Sequence, residues 1–163
     1  MNHRTSSTLS LLYGMLVILC VSMVSFSCER QEKRPAQGNA TTTVEKFCAA
    51  YFNLQYEEAL KYCTPESQKW ISFAASNISE EDLAVMRNRE GGTSIEVTEI
   101  DAHDTDTIGQ ATVKAGNYLS IEKIDDKAYI ADEGIFHFDL VKRDGKWKVR
   151  MAGLPRNEMR NRD

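Results

Sequence analysis

Apolar positions follow three rhythms along this chain, and each predicts a different kind of structure. From Leu9 to Val24 they run almost unbroken, with small residues and one Tyr between them. From Val44 to Met86 they recur every three or four residues instead. Val44, Phe47, Cys48 and Tyr51 stand at i, i+3, i+4 and i+7, the spacing of one helical face. Thr42-Thr43-Val44-Glu45 has the form of a capping box, so the first helix is expected to begin there. Asn53-Leu54-Gln55 predicts a turn, and Tyr56, Ala59, Leu60 and Cys63 mark a second helical face. Thr64-Pro65-Glu66 opens a third helix with a cap residue and Pro at the first helical position. Its expected core residues are Trp70, Phe73 and Ala74. Ser79-Glu80-Glu81-Asp82 opens a short fourth helix carrying Leu83 and Met86, and Gly91-Gly92 closes this half.

From Thr93 the period drops to two. Residues 95–100 and 108–115 read as strands joined by the polar stretch Asp101 to Asp106. Tyr118, Leu119 and Ile121 suggest strand continuation, with another short piece at Ala128 to Ala131. Asp144-Gly145 is a two-residue hairpin signal between residues 135–142 and 146–152. Pairing Arg143 with Lys146 places Leu140 opposite Val149, Phe138 opposite Met151 and Lys142 opposite Trp147. Phe136, Phe138, Leu140, Trp147, Val149 and Met151 then share the buried face. Asp139 falls opposite Arg150 on the other. The predicted class is α+β, with N-terminal helices packed on a curved antiparallel sheet of about four strands.

Helices opening with Val44-Glu45-Lys46-Phe47 and Tyr56-Glu57-Glu58-Ala59-Leu60, followed by a sheet ending in Asp144-Gly145-Lys146-Trp147-Lys148-Val149, resemble the nuclear transport factor 2-like cone. The resemblance covers residues 42–154 and leaves 155–163 as a polar tail. That superfamily includes ketosteroid isomerase-like enzymes as well as many secreted domains of unknown function. Fold alone therefore implies no activity. An isomerase-like reading requires a carboxylate base and an acid or tyrosine donor inside the cone. The buried faces that can be oriented, Ala111, Val113, Ala115 and the six hairpin residues, carry no base, so the family's catalytic residues find no counterpart there. Trp70, Met86, Tyr118, Tyr129, Phe138 and Trp147 are the expected lining of any pocket. The competing enzymatic reading draws on Asp125, Asp126 or Tyr129.

Charge and the first rhythm add an address. Met1-Asn2-His3-Arg4 and the apolar run after it have the layout of a secretory signal. Val24-Ser25-Phe26-Ser27-Cys28 resembles the lipobox of a bacterial lipoprotein. That resemblance implies cleavage after residue 27 and acyl chains on Cys28. Cys20, preceded by Leu19, fits less well. An uncleaved membrane helix is the alternative, and it too places the remainder outside the cytoplasm. Glu29 rather than Asp after the cysteine favours the outer membrane, facing the periplasm or the surface. Residues 28–41, with Pro35, Gly38 and no hydrophobic pattern, are expected to be a solvated tether.

Residues 1–27 hold one basic residue, Arg4, and no acidic one. Of 20 basic and 24 acidic residues, 19 and 24 therefore remain after cleavage, a net charge of about −5. Nothing in that balance suits nucleic acid. The expected partners are the membrane through the lipid anchor, and either an envelope protein or a small apolar ligand.

The remaining chemistry is sparse. With Cys28 acylated, Cys48 and Cys63 form an even pair in an oxidising compartment, and folding two helices about Gln55 predicts a disulfide between them. The competing reading is two buried thiols acting as small apolar residues. Asp101, His103, Asp104 and Asp106 offer carboxylates to a cation. They lack the glycine and distal Glu of a recognised loop, so a solvated connection is expected and no metal or other cofactor is assigned. His137 and Asp139, two apart on one strand face, are read as surface residues with Asp139 paired to Arg150. Asp106-Thr107-Ile108 matches a short motif found at O-glycosylation sites of some bacterial envelope proteins.

Overall fold

A computed structural model describes residues 35–103, 105–121 and 126–159. The signal segment, Cys28 and Asp125 lie outside the described residues. Among the described residues four helices come first: α1 (Pro35–Phe52), α2 (Tyr56–Leu60), α3 (Gln68–Ser76) and α4 (Glu80–Asn88). Six strands follow: β1 (Ser94–Asp101), β2 (Ile108–Gly116), β3 (Tyr118–Ser120), β4 (Tyr129–Ala131), β5 (Gly134–Arg143) and β6 (Lys146–Arg150). An antiparallel sheet has the order β1-β2-β5-β6, and β3 pairs with β4 in a separate ribbon. The α+β class expected from the sequence is the class observed. Among the described residues no helix is long and apolar enough to cross a membrane.

The first helix departs from expectation at its start. The chain is already helical at Pro35, where the described residues begin, so the stretch from there to residue 41 is helix rather than extended tether. Thr42 and Thr43 are interior helical residues rather than caps. Thr43 Oγ1 donates back to Asn39 O at 2.9 Å, which satisfies the hydroxyl inside the helix. Ala40, Thr41, Thr43 and Val44 are all buried, and small side chains at three of these four positions let the helix lie close to β1 and β6.

Val44, Phe47 and Cys48 pack over a sheet face formed by Ala111, Val113, Ala115, Phe136, Phe138, Leu140, Trp147, Val149 and Met151. Small residues in β2 and large ones in β5 and β6 fill the space beneath α1. Phe47 meets Phe138 edge-on, with ring centroids 5.6 Å apart. Trp147 is buried with an indole N–H that makes no hydrogen bond among the described residues, while Lys142 Nζ lies 5.6 Å from its ring centroid.

The β5–β6 hairpin has the expected register, from Arg143 opposite Lys146 to Asp139 opposite Arg150. Strand β6 ends at Arg150, so Met151 is buried but forms no ladder pair with Phe138. Asp144 and Gly145 have φ values of 50° and 74°, the left-handed pair that a two-residue hairpin turn requires. On the outer face, Arg150 Nη2 and Asp139 Oδ2 are 3.1 Å apart. A bulge between Val97 and Glu99 interrupts the β1–β2 register, and such a bulge bends its strand.

The segment after α2 covers the β6 edge. Val149 N donates to Tyr62 O and Thr64 N donates to Val149 O, both at 2.9 Å, with Cys63 in a parallel bridge to Val149. Met151 N donates to Ser67 Oγ at 2.9 Å. An edge strand that would otherwise present unpaired amides is thereby closed.

This pairing explains a correction. Helix α2 stops at Leu60, so Cys63 leaves the helical face and joins the sheet edge, where its Sγ lies 3.6 Å from Leu60 O. Cys48 and Cys63 are free, buried thiols. The expected disulfide is absent. Burial raises the pKa of both. In α3 the inward residues are Ile71 and Ala74, whereas Trp70 is half-buried and Phe73 is exposed. A 3-10 turn over Pro65–Ser67 precedes α3 and shifts its helical phase.

Candidate functional site

At the far end of α1 the core is not filled. A cleft of about 860 Å³ opens there, lined from α1 and α2, the α3–α4 connection, β3, the start of β5 and residues 154–157. That volume lies in the range of small-molecule sites. Its wall is aromatic. Phe52 packs against Tyr118 and Phe136 with centroids 5.4 and 4.7 Å apart, and Tyr118 meets Phe136 at 5.4 Å. Tyr51 meets Phe52 at 5.4 Å and Tyr56 at 5.6 Å, both edge-on. The quadrupoles of the rings favour such tilted contacts over face-to-face stacking.

Local sequence explains why these rings converge. Asn53 and Leu54 break α1 directly after Phe52, with Leu54 at φ 60°. Arg89 then clamps the helix end to the strands. Its guanidinium donates to Thr93 Oγ1 at 2.6 Å, to Asn117 O at 2.8 Å and to Asn53 Oδ1. Asn117, at φ 55°, turns the chain from β2 into β3 and presents Tyr118 beneath Phe52. On the opposite wall, the Tyr118 hydroxyl accepts from Asn157 Nδ2 at 3.2 Å. Asn157 Oδ1 also accepts from Ile135 N at 3.1 Å, which ties the C-terminal segment to β5. Gly134 is required at this point, since a Cβ there would come within 2.5 Å of the Tyr118 oxygen.

Three hydroxyls on the wall make no hydrogen bond among the described residues: Tyr51, Tyr56 and Ser120. Burial holds the Tyr51 pKa well above the ordinary phenol value and pushes Tyr56 up to about 12. Both phenols are therefore neutral donors at physiological pH. Asp82 also lines the cleft, but its carboxylate accepts from Ser79 N at 2.8 Å and its own amide donates to Ser79 Oγ at 3.1 Å. This reciprocal pair caps α4 at the expected position. Exposed Glu81, Asp126, Lys127 and Arg156 mix both signs of charge around the rim.

Of the six residues expected to line a pocket, Tyr118 does so. Phe138 and Trp147 fill the core instead, and Trp70 and Met86 are half-buried outside the cleft. Tyr129 is an exposed residue of β4. The sequence reading missed Tyr51, Tyr56, Phe52, Phe136 and Ser120. Tyr51 and Tyr56 had been placed on helical core faces. The available signal was their polar tips: consecutive turns of a core stripe that end in tyrosine rather than phenylalanine or leucine. Pro155, Arg156 and Asn157, from the segment expected as a polar tail, form one wall. Among the described residues no group of His, Cys, Asp and Glu is placed to hold a metal ion. Asp101 and His103 form an exposed pair at 3.5 Å.

No family model matches the sequence, and no curated protein matches it significantly. Among solved structures, the chain is similar to the crystal structure of an NTF-2-like protein of unknown function from Shewanella oneidensis. The two share 10% sequence identity with a TM-score of 0.45, and the match covers 69% of this chain and 92% of that one.

Proposed function

We propose that this chain is a non-enzymatic lipoprotein of the bacterial envelope that holds a small, largely apolar and uncharged ligand in the aromatic cleft. The observation that carries the reading is the wall itself: six aromatic rings, with neutral Tyr51 and Tyr56 hydroxyls that make no hydrogen bond among the described residues. Such a wall suits a flat hydrophobic body bearing a hydrogen-bond acceptor. The acceptor would take the phenol protons, and the body would displace water from the rings. Mixed charge at the rim gives no long-range attraction to an ion of either sign. Binding is favoured over catalysis because the innermost carboxylate, Asp82, is engaged in capping α4. The envelope address rests on the Ser25-Phe26-Ser27-Cys28 motif and the charged segment after it.

Titration with 6-propionyl-2-dimethylaminonaphthalene, a neutral aromatic ketone whose emission reports polarity, tests the cleft. The expected result is saturable binding with blue-shifted emission, weakened roughly five-fold by Tyr51→Phe, since one hydrogen bond contributes about 1 kcal/mol. Emission that stays water-like at all protein concentrations would overturn the ligand reading. Fractionation of cells carrying Cys28→Ala tests the address. Unchanged processing and membrane retention would overturn the lipid anchor.

A further inference from the structure

The described residues of the connection between β1 and β2 take no part in the cleft. It is anchored at its base. Ala102 is fully buried, and Gly109 lies so close to Asp101 O that a Cβ there would approach it to 2.5 Å. Asp106 folds back over the turn. Its Oδ2 accepts from His103 N at 2.9 Å, and its amide donates to His103 O at 3.1 Å. Thr107 follows at the point where the chain enters β2, its carbonyl accepting from Lys142 N at 2.8 Å. Its side chain is exposed, and its hydroxyl makes no hydrogen bond among the described residues. Ile108 is 67% exposed, the most exposed of the large apolar side chains among the described residues. A lone exposed isoleucine needs no explanation by itself. Here it completes Asp106-Thr107-Ile108, where an acidic residue, an exposed hydroxyl and an apolar side chain stand together at the start of β2.

We infer that Thr107 is an O-glycosylation site. The inference rests on the envelope address, because the donor expected there is a glycan carried on a polyprenyl diphosphate at the outer face of the inner membrane. In the transfer, Thr107 Oγ1 attacks the anomeric carbon of the donor sugar and forms the C–O bond. The bond from that carbon to the phosphate oxygen breaks, and polyprenyl diphosphate departs with the electron pair. The hydroxyl proton passes to a base of the transferring enzyme. Asp106 and Ile108 act as the recognition residues on either side. The chain contains its own control. Asp104-Thr105 is a second Asp-Thr pair, but the next residue is the charged Asp106 rather than an apolar one.

The test uses the full chain purified from its native cells, with intact mass and fragmentation that preserves the sugar–threonine bond. The expected result is a mass excess equal to whole sugar residues beyond the polypeptide and its acyl chains, located on Thr107. That excess disappears in Thr107→Ala, persists in Thr107→Ser and Thr105→Ala, and disappears in Ile108→Asp. Binding of the naphthalene ketone is unchanged in Thr107→Ala. Protein in the envelope that carries no sugar, or carries sugar only elsewhere, overturns the glycosylation and leaves the address standing. Protein that remains unprocessed in the cytoplasm without sugar overturns both.

Discussion

Helix α1 crosses two different interiors in adjacent turns. Around Val44, Phe47 and Cys48 the space over the sheet is filled by Phe138, Leu140, Trp147 and Val149. One turn later, Tyr51 and Phe52 face a cleft. Phe47 touches both regions, stacking on Tyr51 at 5.7 Å and meeting Phe138 at 5.6 Å. The filled end closes with aliphatic side chains, the phenylalanine rings of Phe47 and Phe138, and one indole. The open end is lined by rings whose polar tips need a partner or water. Close packing stabilises the first region, while the second leaves hydrogen-bonding capacity unused. A protein selected for stability alone would have filled both.

The largest expected effect breaks the filled end. Trp147→Ala removes a buried indole from beneath α1 and should destabilise the protein by about 3–5 kcal/mol, the usual cost of emptying such a site. Urea denaturation measures it. The orphaned indole N–H carries its own desolvation cost, so Trp147→Phe should lose distinctly less than the alanine variant. Equal losses would mean that a phenyl ring does not refill the site.

A second effect distinguishes the regions by pH. Cys48, Tyr51 and Tyr56 all have folded-state pKa values raised by burial. In the unfolded chain they ionise near their ordinary values of 9.0 for the thiol and 10.0 for the phenols. The unfolded state therefore releases these protons first as pH rises. Their stabilising contribution is intact below about pH 9 and declines through the alkaline range toward the raised folded values. Denaturation midpoints measured from pH 8 to 11 should be level at first and then fall. The fall should be shallower in Tyr56→Phe, which removes one of the titrating groups.

The third effect falls on the cleft's wall. Asn157→Ala deletes the bond to the Tyr118 hydroxyl and leaves Ile135 N without its acceptor. A loss of about 1–2 kcal/mol is expected, together with faster amide exchange across residues 154–159. Exchange unchanged in that segment would show that other contacts hold it.

The same division governs what was legible in the sequence. The hairpin was readable from Arg143–Lys146 to Asp139–Arg150 because Asp144-Gly145 fixes the turn and strict alternation fixes those partners, while the expected Phe138–Met151 pair falls beyond the end of β6. The α4 cap was readable because both halves of the box lie three residues apart. The cleft was not, since Tyr51, Tyr56, Ser120, Phe136 and Asn157 come from five separate segments and periodicity reports burial, not vacancy. Tyr51 obeys the same helical stripe as Phe47. Nothing in the stripe says where the opposite wall ends. The helical residues before Val44 were hidden for another reason: Ala40, Thr41 and Thr43 are buried by close approach to the sheet rather than by hydrophobicity.

The smallest expected effect sharpens the comparison most. Tyr51→Phe and Tyr56→Phe remove hydroxyls that have no partner among the described residues while leaving the rings in place. No protein hydrogen bond is lost, so stability should change by no more than about 0.5 kcal/mol, and a gain is as consistent as a loss because a polar group leaves a partly apolar wall. Binding of the neutral ketone should weaken in the same variants. A residue kept for packing would give the opposite pattern, with stability lost and binding retained. If urea midpoints fall by more than 1 kcal/mol while the probe still binds, the two tyrosines belong to the filled end of the molecule, and the cleft is a gap in the core rather than a site.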